Sequence, residues 1–261
     1  MFNPNELVLE RIRSVEEYDP ATGELVGRYT QIESPSLKTA AEGTTVTDAM
    51  GAEITTFYKA QTGTFDFTNS LHSLDLMASQ FGAKKQVASD GDKIIVPVTE
   101  TITLNGDKAV LAYEPAEQIK YVKLINENNE FGATFELTAD VSLPSGTFLL
   151  DTASKEITMP AGTTGRIFVT YAKESAAAVK VSKTTDGVPE VRSLLVHAIF
   201  HDPCNVNEVY AGVISIPRAQ IDPSSVEVNL TPDGKHSASY KLQKSYCEAD
   251  GRLFDIIVSN D

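Results

Sequence analysis

The sequence predicts a mainly β protein: a β-barrel or sandwich with one short α-helix and a small inserted β subdomain. Three observations support this fold class. The stretch 54–68 alternates apolar and polar residues with the period of two that a half-buried strand requires. Apolar residues recur at clear helical spacing only once, directly after that stretch. Residues 105–175 form short β-type runs separated by regular turns, a spacing typical of a small sandwich or barrel.

The N-terminal region predicts two strands followed by a polar loop. Residues 5–16 favour a strand, with an amphipathic helix as the alternative. A turn at 19–24, which contains proline and glycine, separates it from a second strand at 25–32. The segment 34–53 is polar and loop-like, with room for one short strand at 44–47.

The stretch 54–68 is the element around which the rest of the chain is organised. It predicts a long strand or a hairpin, and Gly63 marks a turn or a bulge between its two runs. The side chains expected to pack are Ile54, Tyr58, Phe65 and Phe67. The side chains expected to face water are Thr55, Thr62, Thr64, Asp66 and Thr68.

The spacing that follows predicts one helix, at about residues 70–81. Asn69 or Ser70 can cap its start, because a short side-chain oxygen accepts a free backbone N–H of the first turn. Gly82 stands where a helix commonly ends. The side chains expected to pack on the main sheet are Leu71, Leu74, Met77 and Phe81.

The middle of the chain predicts an inserted β subdomain at 105–182, with 1–104 and 183–261 forming the core. The strand candidates within it are Ala109–Tyr113, Ile119–Ile125, Ala133–Leu137, Thr147–Leu150, Ile157–Met159 and Arg166–Tyr171. The strongly β segment 94–104 is assigned to the core, although Pro97 restricts it to an edge or a bulge. The C-terminal part returns to longer strands, predicted at 193–200, 208–219, 224–231, 237–245 and 251–258.

Composition excludes several classes of function. A net charge of -14 argues against binding nucleic acid through its phosphates, which needs a basic face. No apolar run approaches the roughly 20 residues of a membrane span, and the N-terminus lacks the basic and apolar regions of a signal peptide. Two cysteines, Cys204 and Cys247, are too few for a disulfide framework and are expected to be reduced.

Candidate chemistry is sparse. His197 and His201 would share one face of a strand and Cys204 follows in a turn, and zinc accepts such donors. There is no second cysteine pair and His201 begins a turn, so no metal is predicted. The acidic pair Glu16 and Glu17 is predicted to lie on a solvated face. No GxSxG elbow, GxGxxG or P-loop occurs, so the chain is expected to be no enzyme and to need no cofactor.

Two segments carry a resemblance to a known family. The first is ITTFYKAQTGTFDFTNSLHSLDLMASQFG at 54–82, a long hairpin that leads into one short helix. The second is VYAGVISIPRAQID at 209–222, followed by the alternating SVEVNL. In this order of elements the chain resembles the major tail tube proteins of long-tailed bacteriophages, over roughly residues 1–100 and 185–261. The middle section departs from the shortest members; a subdomain that decorates the tube exterior, or an extension of the core, would account for it.

The resemblance implies hexameric rings that stack into a tube, through which DNA passes without specific binding. The implied location is the tail of the virion, assembled in the cytoplasm of the host bacterium. The implied partners are further copies of the chain and the tape measure, terminator and baseplate proteins. The residues expected to line the lumen or the subunit joint are Thr55, Lys59, Thr62, Thr64, Asp66 and Thr68. Lys59 is expected to pair with a carboxylate of a neighbouring subunit rather than face the channel.

Two other functions stay open. A capsid decoration protein, or another structural protein of a virion, would share the acidity and the β content. A carbohydrate-binding β-sandwich would display exposed aromatic residues in a groove, and the absence of tryptophan argues against it. Assembly distinguishes them, since a tail tube protein forms rings or tubes and the others form monomers or trimers.

Overall fold

A computed structural model of the chain describes residues 6–205, 207–232, 234–245 and 251–259. Within these residues the protein is mainly β, has a single α-helix, and contains one barrel-like sheet that is nearly closed. The predicted mainly β fold class is therefore confirmed. The chain divides into two compact units, Met1–Lys85 with Val181–Asp261 and Gln86–Lys180, which we call the first and second unit.

The elements follow one another in three blocks. Before the second unit come β1 Val8–Tyr18, β2 Leu25–Tyr29, β3 Ile32–Ala40, β4 Gly43–Thr47, β5 Glu53–Tyr58, β6 Thr62–Asn69 and α1 Leu74–Phe81. The second unit contains β7 Gln86–Val87, β8 Ile94–Thr103, β9 Lys108–Val110, β10 Tyr121–Ile125, β11 Phe131–Leu137, β12 Thr147–Asp151, β13 Glu156–Thr158, β14 Arg166–Ser175 and β15 Val179–Lys180. After it come β16 Val191–His201, β17 Val209–Ile221, the 3-10 turn Pro223–Ser225, β18 His236–Leu242 and β19 Asp255–Ser259.

The first unit is built on an eight-stranded antiparallel sheet. Its strand order is β2-β1-β16-β17-β18-β6-β3, and β19 also pairs with β17. Alternate residues of these strands point to one side, where they form the core. The largest side chains in that core include Tyr29, Phe65, Phe67, Leu194 and Tyr240. β4 and β5 take no part in this sheet and pair only with each other.

The second unit has its own sheet and its own core. The strand order is β8-β14-β10-β11-β12-β13-β9, in which only β11 and β12 run parallel. In β14 the side chains of Ile167, Val169 and Tyr171 are buried, whereas Thr170 between them is exposed. These buried side chains and Val122 belong to one cluster, which is the core of this unit. The alternation required of half-buried strands is thus present in both units.

The boundary between the units differs from the predicted one. The segment assigned to the core at 94–104 forms β8, and Ile94–Thr103 pairs along its whole length with β14 of the second unit. Hydrogen bonding to β14 therefore places β8 in the second unit, which begins at Gln86 rather than at residue 105. Pro97 does lie on an edge strand, because β8 ends the strand order.

Two strand predictions outside the second unit need correction. Residues 34–40, predicted as loop, belong to β3, which is held by its pairing with β6. Residues 224–231, predicted as a strand, begin with a 3-10 turn and then lack strand pairing up to residue 232. Asp222 starts that turn by accepting the backbone N–H of Ser224 at 3.0 Å. This local side-chain bond competes with strand formation.

Gly63 is neither a turn nor a bulge. It lies inside β6, opposite Thr39 on one side and Leu242 on the other. A Cβ atom there would stand 3.0 Å from Leu242 Cδ2, so the glycine lets the Leu242 side chain pack against the strand. The break in the stretch 54–68 falls instead between Tyr58 and Thr62, where β5 ends and β6 begins.

Helix α1 begins later than predicted. Asn69 is still part of β6, and the cap is Ser73, whose Oγ accepts the N–H of Leu76 at 3.3 Å. The predicted end is confirmed, because Gly82 closes the helix with a left-handed φ of 63°. A Cβ at Gly82 would lie 2.1 Å from the carbonyl oxygen of Val188, so only glycine fits.

The helix packs through a different face from the predicted one. Leu71 precedes the helix and is exposed, Leu74 is exposed, and Met77 and Phe81 are half-buried. The buried residues are Leu76, Ala78, Ser79 and Gln80. Two polar anchors set this rotation. Ser79 Oγ donates to Glu17 at 2.9 Å, and Gln80 Nε2 donates to the carbonyl oxygen of Ser237 at 2.7 Å.

Glu17 is completely buried, against the prediction of a solvated face. The register of β1 against β16 shifts between Ile12 and Ser14, and an irregularity of this kind moves the following side chains to the opposite face. Tyr29 donates its hydroxyl to Glu17 at 2.7 Å, and the guanidinium of Arg192 lies 3.5 Å away. Burial nevertheless dominates and raises the pKa of Glu17.

Candidate functional site

Strands β4 and β5 form an isolated hairpin, which we call the arm. The two strands pair through Thr45 opposite Thr56 and Val46 opposite Thr55, and neither joins a larger sheet. Asp48 builds the tip of the arm, because its Oδ1 accepts the N–H groups of Met50 and Ala52, each at 2.8 Å. This side-chain arrangement is an Asx turn, which fixes the hairpin locally.

The arm exposes large apolar side chains. Ile54, Phe57 and Tyr58 are 65%, 64% and 72% exposed, and Met50 at the tip is 94% exposed. Directly opposed residues of an antiparallel pair share a face. Ile54 and Tyr58 therefore lie on one face of the arm, and Phe57 lies on the other with the exposed Val46. Both faces consequently present apolar surface to solvent.

A hairpin of this kind does not stabilise itself. Two isolated strands are marginal in water, because neither face is covered. At its base, Lys59 donates its backbone N–H to the carbonyl oxygen of Glu42 at 2.8 Å, and its ammonium lies 2.7 Å from the Glu42 carboxylate. The predicted partner was a carboxylate of another subunit, whereas the structure shows a pair within one chain. That ion pair is solvent-exposed and contributes little.

The second candidate surface is the outer side of β3, β6 and β18, which we call the polar face. Its members are Ser36, Lys38, Thr62, Thr64, Asp66, Thr68, Ser237, Ser239 and Lys241. In β6 the predicted alternation is confirmed, because Phe65 and Phe67 are buried beneath it. Ser239 donates to Asp66 at 2.6 Å, and the hydroxyls of Thr68 and Ser237 are 3.1 Å apart. The face is thus a hydrogen-bonded layer of hydroxyls and charges.

Each lysine of the polar face has a carboxylate partner. Lys38 lies 3.2 Å from Asp66, and Lys241 lies 2.8 Å from Asp222. Lys235, just before β18, pairs with Glu33. The hydrogen bond from Lys241, together with that from Ser224, lowers the pKa of Asp222 to about 2. The positive charges of this surface are therefore locally neutralised at neutral pH.

The predicted lumen residues consequently separate into two groups. Thr55 and Lys59 lie on or at the base of the arm, and Thr62, Thr64, Asp66 and Thr68 lie on the polar face. Of the side chains predicted to pack, Ile54 and Tyr58 are exposed on the arm. The apolar residues of the arm are visible in the sequence. That the arm pairs with no larger sheet can be seen only from the sheet topology.

The histidines considered as metal ligands have carboxylate neighbours. Nε2 of His197 lies 3.3 Å from Glu16, and Nε2 of His201 lies 2.5 Å from Glu10. Cys204 is exposed, and Cys247 falls outside the described residues. Among the residues that the structure places, no group of three or more His, Cys, Asp or Glu side chains could hold a metal ion. In the same part of the chain no helix is both long and apolar enough to span a membrane.

No protein-family model matches the chain, and no match was found among curated proteins.

Proposed function

We propose that this chain is a structural protein of a bacteriophage virion that self-assembles into stacked hexameric rings, the tail tube through which DNA passes. The observation that carries the proposal is the arm, a hairpin with apolar side chains on both faces and no further strand partner among the residues that the structure describes. Exposed apolar surface of this extent marks a site of protein association. The resemblance of residues 54–82 and 209–222 to tail tube proteins supplies the kind of assembly.

The arm favours contact with other copies on energetic grounds. Burying a large apolar side chain such as Phe57 stabilises by about 1.5–3 kcal/mol. Ile54 and Tyr58 on the other face offer a comparable gain, so one arm can contact more than one neighbour. A closed ring supplies the same partner surface to every arm, and stacking repeats it along a tube.

The polar face suits the wall of a DNA channel. A protein that holds DNA does so by neutralising phosphates with free Lys and Arg. Here Lys38 forms an ion pair with Asp66, and Lys241 forms one with Asp222. The hydroxyls between them offer no charge, and the whole chain carries -14. DNA passing such a wall meets few cations to hold it, so we assign the polar face to the lumen.

The remaining parts of the proposal follow from the same role. The partners are further copies of the chain and the tape measure, terminator and baseplate proteins, and the site of action is the virion tail. The protein acts without catalysis. The second unit has its own core, so we assign it no part in ring formation. A capsid decoration protein is the alternative, because it too would be acidic and rich in β structure.

Electron microscopy of the purified protein tests the proposal. Rings or tubes with six-fold symmetry support it, and monomers or trimers favour a decoration protein. Tyr58→Ser on the arm should abolish assembly and leave a folded monomer, since Tyr58 is 72% exposed and contributes little to the core. The matched control is Tyr121→Ser in the second unit, where the tyrosine is 57% exposed and assembly should persist. Unchanged assembly by the Tyr58 variant, with that of a Phe57→Ser variant also unchanged, refutes the role of the arm.

A further inference from the structure

The second unit has an outer sheet surface that the proposed tube function does not use. It is formed by β8, β14, β10 and β11, and we call it the aromatic face. Its central members are Tyr121, Lys123, Phe131, Arg166, Phe168 and Thr170. A row of threonines, Thr99, Thr101 and Thr103, continues it across the edge strand β8. All of these point away from the buried core of the unit.

The aromatic face presents exposed rings, and two of its rings are in contact. Tyr121 and Phe131 are each 57% exposed. The rings of Phe131 and Phe168 meet edge to face with centroids 5.0 Å apart, and the ammonium of Lys123 lies 5.7 Å from the Phe131 centroid. A shallow groove of about 390 Å³ lies at one end, lined by Tyr121 and Phe168 together with Lys120, Lys123 and Thr170. That volume lies within the range of small-ligand sites.

The groove of the aromatic face is lined by two lysines and by one carboxylate, that of Glu117. Neither Lys120 nor Lys123 forms an ion pair with any residue that the structure describes. In the same unit Lys93 pairs with Glu174 and Lys108 pairs with Glu156. Two unpaired ammonium groups beside exposed rings, on a chain of net charge -14, favour an anionic ligand.

We propose that the aromatic face binds an acidic polysaccharide, a glycan chain that carries carboxylate groups. The C–H bonds on one side of a sugar ring form a weakly positive, apolar surface that packs on the negative face of an aromatic ring. Tyr121 and Phe131 are exposed enough to receive such rings. Threonine hydroxyls donate to and accept from sugar hydroxyls. Lys120 and Lys123 supply partners for the carboxylates.

A single-stranded nucleic acid fits this surface less well. It would also stack on aromatic rings, but it carries a phosphate at every nucleotide and needs a groove with many cations. Glu117 lines the groove, and Glu136 pairs opposite Tyr121 at the border of the face. An acidic glycan carries fewer charges along its length, and its many hydroxyls match the threonine row.

The test is a calorimetric titration of the full-length protein with an oligomer of galacturonic acid, with a neutral glucose oligomer of equal length as control. Tyr121→Ser should weaken binding about tenfold, the loss expected for one stacked ring. Lys123→Gln should weaken binding and reduce its dependence on salt concentration. The controls are Val110→Ser on β9, where the valine is 58% exposed, and Lys180→Gln on β15, and both should bind as the wild type does.

Each outcome decides the proposal. The proposal is supported if the acidic oligomer binds, if both variants of the aromatic face weaken that binding, and if both controls leave it intact. No detectable binding at millimolar oligomer, or equal binding of the neutral oligomer, overturns it. Self-association that Tyr121→Ser abolishes would show that a second copy covers this face and would also overturn it. Ring assembly depends on Tyr58 and glycan binding on Tyr121, so either proposal can fail without the other.

Discussion

Acid should weaken the first unit through His236, whose ring is fully buried at the start of β18. Its Nδ1 accepts the N–H of Ser73 at 3.4 Å, and its Nε2 donates to Oε1 of Gln80 at 2.8 Å. A proton on Nδ1 would remove the acceptor for Ser73. Burial, together with the charge of His72 at a ring distance of 5.9 Å, lowers the pKa of His236 to about 4.

The size of the effect follows from the two pKa values. The unfolded chain protonates this histidine near pH 6.5, whereas the folded protein does so near pH 4. Because the folded pKa is depressed, stability is fully retained above pH 6.5 and falls as the pH drops through this window. The unfolded state binds a proton there that the folded state does not. At about 1.4 kcal/mol for each pKa unit, the loss reaches about 3 kcal/mol by pH 4.

Urea unfolding at pH 7 and pH 4 measures this loss. The wild type is compared with His236→Gln, so that contributions of the other acidic groups cancel. The variant should lose about 3 kcal/mol less than the wild type between the two pH values. His72→Gln should also reduce the loss, by a smaller amount, because it removes the secondary cause. Equal losses in the wild type and His236→Gln would show that His236 does not titrate as argued.

Three further outcomes follow from the fold. Leu76→Ala should lower the free energy of unfolding in urea by roughly 2–5 kcal/mol, whereas Leu74→Ala should change it by less than about 1 kcal/mol. Equal effects of the two substitutions would contradict the observed buried face of the helix. Glu17→Ala should cost roughly 3–5 kcal/mol in the same assay, because it leaves the hydroxyls of Tyr29 and Ser79 without their acceptor and removes the carboxylate 3.5 Å from Arg192. A change below about 1 kcal/mol would contradict the network. A variant in which a short turn replaces Gln86–Lys180 should still unfold cooperatively and form rings, as measured by circular dichroism and electron microscopy. A folded variant that cannot form rings would show that the second unit takes part in assembly.

Local alternation predicted the strands well where a strand is straight. Phe65 and Phe67 are buried and Asp66 between them is not, as the period of two requires. The prediction that the acidic pair Glu16 and Glu17 lies on a solvated face is wrong for Glu17, because the irregularity near Ser14 turns this side chain toward the core. Nothing in the local pattern marks that irregularity, since it depends on pairing with β16, far along the chain.

The helix and the arm show the same limit for the candidate site. The end of the helix at Gly82 was predictable from glycine alone, but its buried face depends on Glu17 and His236 in distant strands. The alternating pattern predicted a two-sided strand near residue 54, but it also predicted that this strand and β6 form one continuous strand or hairpin. The partner of β5 is β4, and the strand pairings of the described residues show that this hairpin joins no larger sheet there.

Strand pairing in the first unit also imposes an order on folding during synthesis. β1 pairs with β16, so the N-terminal strand cannot complete its place in the sheet until residue 201 has been made. The second unit is continuous in sequence, so its core can form during translation, before the later strands of the first unit have been made. The polar face is completed later still, because β18 is its last strand. Nascent chains therefore lack a finished polar face until Leu242 has been made, and subunits become competent for assembly only after that point.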